Sequence, residues 1–157
     1  KRQFKGWAKK IWGTHLKLKD TSPAKQTLLF EHINSVTTVS KFKFREEDYK
    51  DRTLILFSDL LQNSKERFPF TPRRIKKYSD FETFYNKASL KDKKYLDEIK
   101  PSFSSNSKVV IYHIINENVR KSDLEFKLKT FWLGFFKWSG VATENIEYIR
   151  LVDNSKS

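Results

Sequence analysis

Four cations directly precede the start of a predicted helix, and this arrangement suits the binding of an anion. They lie within residues 73–77, and the polar residues Ser79 and Asp80 follow them. Both side chains can accept hydrogen bonds from the first free N–H groups of a helix. The apolar residues that come next are spaced to share one buried helical face: Phe81, Phe84 and Tyr85. The same pattern is also typical of a solvated basic strand end that leads into an ordinary capped helix.

The order of residues in this run is similar to a family signature. Lys77-Tyr78-Ser79-Asp80-Phe81 resembles the motif of the PX (phox homology) domain family. In that motif a basic residue, a Tyr or Phe, a small residue, an acid and a Phe join the third strand to the first helix. A proline-bearing loop, a helix that opens with Arg and a short terminal helix come later in the family. Residues 99–103, Arg120 and residues 143–152 match these features, so the resemblance covers residues 28–152.

The resemblance implies that the protein binds phosphoinositides at a membrane surface. It assigns the headgroup contacts to Lys77 and Arg120, with the ring of Tyr78 as a flat surface and Lys100 as a further cation. Lys77 departs from the family pattern, because the family commonly carries Arg there and only Arg offers a bidentate fork to phosphate. A weaker basic surface would comprise Arg73, Arg74, Lys76 and Lys108. The implied location is cytoplasmic and peripheral on membranes, with endosomal and vacuolar membranes among the candidates, as part of a larger trafficking or signalling protein.

Composition predicts one compact and strongly basic domain. The chain has 157 residues, a net charge of +13 and no cysteine. Such a charge attracts polyanions, whether phospholipid headgroups, nucleic acid or acidic proteins. Residues 1–22 are predicted to form a basic amphipathic segment, in which Phe4, Trp7 and Ile11 trace one apolar stripe. Residues 23–157 are predicted to form a single PX-like domain.

The amphipathic segment fits two roles that the sequence leaves open. A basic face with Trp7 at its edge suits a helix that lies in a membrane interface, whereas the same stripe could pack on the protein core. No apolar stretch approaches the roughly 20 residues that span a bilayer.

Residues 28–77 predict a three-stranded antiparallel sheet. Aromatic residues alternate with cations towards the end of residues 36–44, and residues 53–57 form a continuous apolar run that is short enough for a buried strand. The charged residues 46–51 predict the turn between them, and a third strand is expected at residues 70–77. We therefore expect an α+β fold in which this sheet packs against a helical half, as in PX domains.

The second half of the chain is predicted to be mostly helical. Short helices are expected at residues 81–88 and 90–99, and a seam of Leu and aromatic residues predicts a longer helix over residues 124–138. Gly140 then suits a helix stop. Residues 109–115 are ambiguous, because their β-branched residues favour a strand while the PX resemblance would place them in a helix.

Catalytic motifs are weak in this sequence, and we expect neither an enzyme nor a metal site or cofactor. Residues 123–127 carry an Asp and a Glu-x-Lys pair of the kind that binds magnesium in some nucleases, but they fall at a predicted helix. The three histidines, His15, His32 and His113, are far apart in sequence and flanked by apolar residues, which favours structural roles.

Two other functions stay open on the sequence alone. A nucleic-acid-binding domain is supported by the charge and by Phe42, Phe44 and Tyr49, which are interleaved with Lys and Arg. The strand alternation places Phe42 and Phe44 opposite the cations, which favours the core for both. The third candidate is a protein-interaction scaffold, either a degenerate PX-like domain or a domain similar to the pleckstrin-homology family.

Overall fold

The computed structural model describes residues 28–38, 51–62, 77–78, 80–115 and 123–152. The predictions for residues 1–22, and for most of the first and third strands of the expected sheet, lie outside this described part. The elements follow one another in this order: helix α1 (Leu29–Thr38), strand β1 (Arg52–Ser58), helices α2 (Phe81–Lys87) and α3 (Leu90–Glu98), strand β2 (Ser107–Ile115), helix α4 (Leu124–Trp138), a 3-10 turn (Thr143–Asn145) and strand β3 (Ile146–Val152).

The sheet is parallel, so the antiparallel sheet expected from the sequence is wrong. Its strands are ordered β1-β2-β3, and both neighbouring pairs run in the same direction. Helices α2 and α3 lie between β1 and β2 in sequence, and α4 lies between β2 and β3. Such connections are long enough to return the chain to the starting edge of the sheet. The prediction failed because it paired runs that are close in sequence across a short charged turn, whereas β1 pairs with a strand beyond two helices.

Residues 29–38 form a helix where the sequence predicted the beginning of the sheet. Phe30, Ile33 and Thr37 lie at helical spacing and are buried together. The β-branched residues at 36–38 favoured a strand, but burial of a helical face outweighs that propensity. The Thr37 hydroxyl donates to the Ile33 carbonyl at 2.9 Å, so its polar group is satisfied within the helix.

The ambiguous residues 109–115 belong to β2, the central strand of the described sheet. The terminal helix predicted for residues 143–152 is wrong, because these residues form the 3-10 turn and then β3. Successive residues of a strand alternate between its two faces, so Ile146 and Tyr148 share one face of β3. Ile146 and Tyr148 of β3 also pack against the core.

The three helices predicted in the second half of the chain are confirmed as α2, α3 and α4, with small differences at their ends. Asp80 caps α2 as expected, because its Oδ1 accepts the Thr83 N–H at 2.7 Å. Gly140 follows α4 with a φ of +100°, a left-handed conformation that glycine adopts without strain.

Aromatic side chains of α4 form the centre of the core. Phe131, Trp132 and Phe135 are almost completely buried. The ring of Phe30 from α1 stacks on Trp132, with centroids 4.8 Å apart. The ring of Phe81 from α2 meets Phe131 and Phe135 edge-on, at centroid distances of 5.2 and 5.5 Å. This packing fixes α1 and α2 on α4, and it thereby sets the position of the side chains that α2 presents to solvent.

Gly134 allows α2 and α4 to approach closely. A Cβ atom at this position would lie 3.0 Å from the Phe81 Cβ. We therefore expect Gly134→Val to lower the free energy of unfolding by about 1–3 kcal/mol, the usual cost of overpacking. Urea unfolding measures this loss, and Lys137→Val at an exposed position of the same helix is the control for β-branching. Equal losses in the two variants would contradict the close approach.

Candidate functional site

The described residues include part of the predicted headgroup site. Lys77 is exposed just before α2. The ring of Tyr78 packs edge-on against Phe84 with centroids 5.2 Å apart, so it contributes to the packing of α2. Arg120 lies outside the described residues, and the distance between Arg120 and Lys77 therefore stays untested.

The remaining predicted cations differ in what the structure shows of them. Arg73, Arg74 and Lys76 lie outside the described residues. Lys108 is exposed near the start of β2, with its Nζ 4.0 Å from the Asp51 carboxylate. Lys100 has the most defined surroundings of the set.

Lysine and aromatic side chains form a continuous surface around Lys100. The Lys100 Nζ lies 4.4 Å from the centroid of the Trp138 ring. The Trp138 ring lies 5.4 Å from the Tyr85 ring, and the Lys93 Nζ stands 5.7 Å from the Tyr85 centroid. Such contacts hold an ammonium group over an aromatic face. We call this region the basic–aromatic surface, and its members are Tyr85, Leu90, Lys93, Lys94, Lys100 and Trp138.

Leu90 is the most exposed large apolar side chain in the described part of the chain, at 86%. It is the first residue of α3, and the preceding Ser89 caps that helix by accepting the Asp92 N–H at 3.1 Å. The cap therefore fixes the backbone that presents Leu90 to solvent. Leu90 borders an open cleft of about 610 Å³ whose other walls are Tyr85, Lys93, Lys94, Asp97 and Glu98.

Hydrogen bonds orient the side chains of the basic–aromatic surface. The Tyr85 hydroxyl donates to the Asp97 carboxylate at 2.7 Å, and this bond raises the pKa of Tyr85. The Lys93 Nζ donates to the Asn86 carbonyl at 3.1 Å. Both the ring and the ammonium group are thus placed before any ligand arrives.

A second polar region lies where the parallel strands end. Ser58, His113 and Arg150 occupy one row across β1, β2 and β3. Arg150 forms a two-point ion pair with Glu125 of α4, with Nε–Oε1 and Nη2–Oε2 distances of 2.8 and 3.1 Å. The loops that follow parallel strands begin at this edge of the sheet, and binding residues are often carried on such loops. This row therefore lies beside the loops where contacts to a small molecule could be made.

His113 is completely buried in this row. Burial lowers the pKa of His113 to about 4, although the Glu125 carboxylate and the Asp59 backbone act in the opposite direction. The imidazole is therefore neutral at pH 7. Its Nδ1 shares a hydrogen bond with the Tyr148 hydroxyl, and burial raises the pKa of Tyr148. We assign Tyr148 as the donor, which leaves the imidazole proton on Nε2.

Asp59 follows β1 directly, in a turn with an unusual backbone. The next residue, Leu60, has a positive φ of 61°. This conformation costs a non-glycine residue roughly 1–2 kcal/mol. The Asp59 Oδ1 accepts the Leu61 N–H at 3.1 Å, and burial raises the pKa of the Asp59 carboxyl group. Backbone strain beside a desolvated carboxyl group is typical of functional sites.

The fragment considered for a nuclease site is engaged in ion pairs. Asp123 pairs with Lys127 at 3.0 Å, and Glu125 pairs with Arg150. Within the residues that the structure describes, no group of three or more potential ligand side chains could hold a metal ion.

Comparison of the chain with protein-family models, with curated proteins and with solved structures found no match. The PX resemblance therefore stays a prediction. The fold and the net charge define the class of protein, which is a basic α+β protein with a parallel sheet. Among the described helices, none combines the length and the apolar character needed to cross a bilayer.

Most residues of the basic–aromatic surface were not predicted as site residues from the sequence. A signal was present in α3, because Leu90 and the buried Leu96 are six positions apart. At 3.6 residues per turn, they differ by about 120° around the helix. Leu90 therefore lies off the buried face, which marks it as an exposed apolar residue. The pairing of Tyr85 with Trp138 depends on tertiary packing and carries no such signal.

Proposed function

We propose that this protein is a peripheral membrane module that binds anionic lipid surfaces, phosphoinositide-containing ones among them. The basic–aromatic surface is the contact. The observation that carries the proposal is that Leu90 is 86% exposed at the first turn of α3. Lys93 and Lys94 border the same cleft together with the carboxylates of Asp97 and Glu98, and Lys100 lies beside Trp138, so an apolar side chain projects among three cations and two anions. This combination is typical of elements that lie in a membrane interface.

The surface offers several contributions of modest size. Leu90 would enter the boundary between headgroups and acyl chains, and burial of a Leu side chain contributes about 1.5–3 kcal/mol. Each lysine near an anionic membrane contributes about 1 kcal/mol, and the Asp97 and Glu98 carboxylates oppose part of this attraction. Trp138 and Tyr85 suit the headgroup level, where aromatic rings with a polar edge are enriched. Their sum supports reversible binding that depends on both salt and lipid charge.

A membrane is favoured over nucleic acid at this surface because of the aliphatic residue at its apex. Single-stranded nucleic acid is held by bases that stack on exposed aromatic rings, whereas the rings of Tyr85 and Trp138 are half-buried and the most exposed side chain of this surface is Leu90. Phe42, Phe44 and Tyr49, which supported nucleic-acid binding in the sequence, lie outside the described residues.

Cosedimentation with lipid vesicles tests the proposal. Vesicles that contain phosphatidylserine and a phosphoinositide should bind the protein, whereas neutral phosphatidylcholine vesicles should not. Salt should release it, because exposed charges are screened over about 10 Å at 0.1 M. Leu90→Ser should weaken binding about tenfold, since it removes at least about 1.4 kcal/mol of apolar transfer energy. The double variant Lys94→Ala, Lys100→Ala should weaken it by a similar factor.

Phe126→Ser and Lys129→Ala are the matched controls. Phe126 is 69% exposed and Lys129 is exposed, and both lie in the first half of α4, whereas Trp138 ends that helix. Both variants should bind vesicles nearly as well as the wild-type protein. The proposal fails if anionic and neutral vesicles bind equally, or if the controls lose as much affinity as Leu90→Ser.

Phosphoinositide recognition is the finer part of the proposal. Lys77→Ala, Lys100→Ala and Arg120→Ala should each weaken binding to phosphoinositide vesicles more than Lys129→Ala. A charge-assisted hydrogen bond to a headgroup contributes about 1.5–3 kcal/mol, whereas one exposed surface charge contributes about 1 kcal/mol or less. The fold of each variant is to be checked by circular dichroism. Equal losses in all four variants would indicate a diffuse electrostatic attraction without a headgroup pocket.

A further inference from the structure

A second open cleft lies at the other end of α4 from the basic–aromatic surface. Its volume is about 460 Å³, and its walls are Asp123, Glu125, Phe126, Lys129, Tyr148 and Arg150. Phe126 and Trp138 are twelve positions apart in α4, which corresponds to about 18 Å along the helix axis. The two regions are therefore separate, and we call this one the carboxyl-edge cleft.

We infer that the carboxyl-edge cleft binds a nucleotide, with the base stacked on Phe126 and a phosphate paired with the Lys129 ammonium group. The ligand is either a free nucleotide or one unit of a single strand, because both present the same base and phosphate.

The position of the cleft in the fold supports a small ligand. Its walls come from Asp123, which precedes α4, from the first half of α4, and from Tyr148 and Arg150 of β3. Arg150 belongs to the polar row that crosses the sheet where the parallel strands end. The loops that follow parallel strands meet at this edge of the sheet, and ligand contacts are often carried on such loops.

The side chains of the cleft match the parts of a nucleotide. Phe126 is 69% exposed, so a face of its ring is accessible for stacking. Lys129 lies one helical turn further along α4, on the same side of the helix. Its Nζ stands 5.0 Å from the centroid of the Tyr148 ring, where it is held beside the cleft. A base and a phosphate of one nucleotide can therefore contact Phe126 and Lys129 together.

The remaining walls are held in place by interactions beneath the cleft. The Tyr148 hydroxyl is bonded to the buried His113, which fixes the ring that supports Lys129. Glu125 is paired with Arg150 in two-point contact, and Asp123 is paired with Lys127, so both carboxylates of the cleft are offset by cations. Carboxylate oxygens at this wall are suitable acceptors for ribose hydroxyl groups.

Fluorescence polarisation with two probes tests the inference on the full chain. The probes are a fluorescent adenosine monophosphate and a labelled short oligothymidine. We expect Phe126→Ala to weaken binding about tenfold, as for loss of one base–aromatic stack, and Phe126→Trp to restore it. Lys129→Ala should also weaken binding, and Lys129→Arg should restore it. Leu90→Ser and Lys94→Ala should leave nucleotide binding unchanged, because they lie on the basic–aromatic surface.

The pattern of results decides the inference and separates it from the proposed membrane function. The site is supported if both probes bind and Phe126→Ala weakens their binding. If only the oligonucleotide binds and Phe126→Ala weakens that binding, the ligand is a single strand. The inference is overturned if neither probe binds. It is also overturned if Phe126→Ala binds like the wild-type protein, or if Lys94→Ala loses as much affinity as Lys129→Ala. Vesicle binding can succeed or fail independently of each of these outcomes.

Discussion

Replacement of Trp132 by alanine is expected to lower the free energy of unfolding by about 3–5 kcal/mol, the cost typical of removing a large buried aromatic side chain. Trp132 is completely buried and stacks on Phe30 at 4.8 Å. Its indole N–H also donates to the Leu60 carbonyl at 3.0 Å. The change thus removes core packing and leaves the carbonyl beside a positive-φ turn without its donor. Thermal unfolding should show a fall in Tm of roughly 10 °C or more.

Two further variants separate these contributions. Trp132→Phe keeps most of the apolar volume and removes the N–H, so it should cost less than Trp132→Ala. Trp138→Ala removes the same side chain from a half-buried position at the end of α4, and it should also cost less. If Trp132→Ala and Trp138→Ala lower Tm equally, the core is not centred on Trp132.

The stability of the protein is expected to fall as pH decreases from about 6.5 to 4. In this range His113 binds a proton in the unfolded chain, whereas its buried imidazole stays neutral in the folded protein. Its folded pKa is lowered by burial to about 4, whereas an unperturbed histidine has a pKa of 6.5. The unfolded state therefore binds more protons within this window. The contribution of His113 to the free energy of unfolding is fully present above pH 6.5. It amounts to about 3 kcal/mol, because each pKa unit corresponds to 1.36 kcal/mol.

Urea unfolding at a series of pH values measures this effect. Among the described residues, the groups that face His113 are Tyr148 and Arg150 from β3, Glu125 from α4 and the backbone of Asp59, which follows β1. Carboxyl groups also titrate in this range. The free energy of unfolding is therefore plotted against pH for the wild-type protein and for His113→Gln, and the slopes of the two plots are compared. NMR gives a second measurement. The imidazole signal that is present in the wild-type protein and absent from His113→Gln belongs to His113, and it should titrate near pH 4 in the folded protein. A midpoint near 6.5, or equal slopes in both proteins, would contradict the buried neutral imidazole.

The helices of the second half could be predicted because their signals are local. Asp80 accepts a hydrogen bond three residues along the chain, and the buried seam of α4 repeats at helical spacing. The direction of the sheet could not be predicted in the same way. It depends on which strands become neighbours, and β1 pairs with β2 although α2 and α3 separate the two strands in the sequence. Local propensity was also misleading at residues 36–38. Their β-branched side chains favoured a strand, whereas the residues form a helix whose buried face includes Phe30 and Ile33.

The functional surfaces were predicted only in part. Lys100 was identified as a cation for a headgroup, but its contact with Trp138 joins residues from distant elements and leaves no periodic pattern in the sequence. His113 was correctly described as flanked by apolar residues, whereas its bond to Tyr148 depends on the register between β2 and β3. Sequence periodicity identifies which face of an element is buried. It does not identify which exposed side chains of different elements meet.

A single cysteine at position 90 measures most directly whether the basic–aromatic surface meets the membrane. The chain has no cysteine, so Leu90→Cys carries one thiol for an environment-sensitive fluorophore such as NBD. We expect its emission to increase and shift to the blue when anionic vesicles are added, and to become protected from aqueous iodide. The same probe at Phe126→Cys should stay exposed to water. No change at position 90, or equal changes at positions 90 and 126, would contradict membrane binding through this surface.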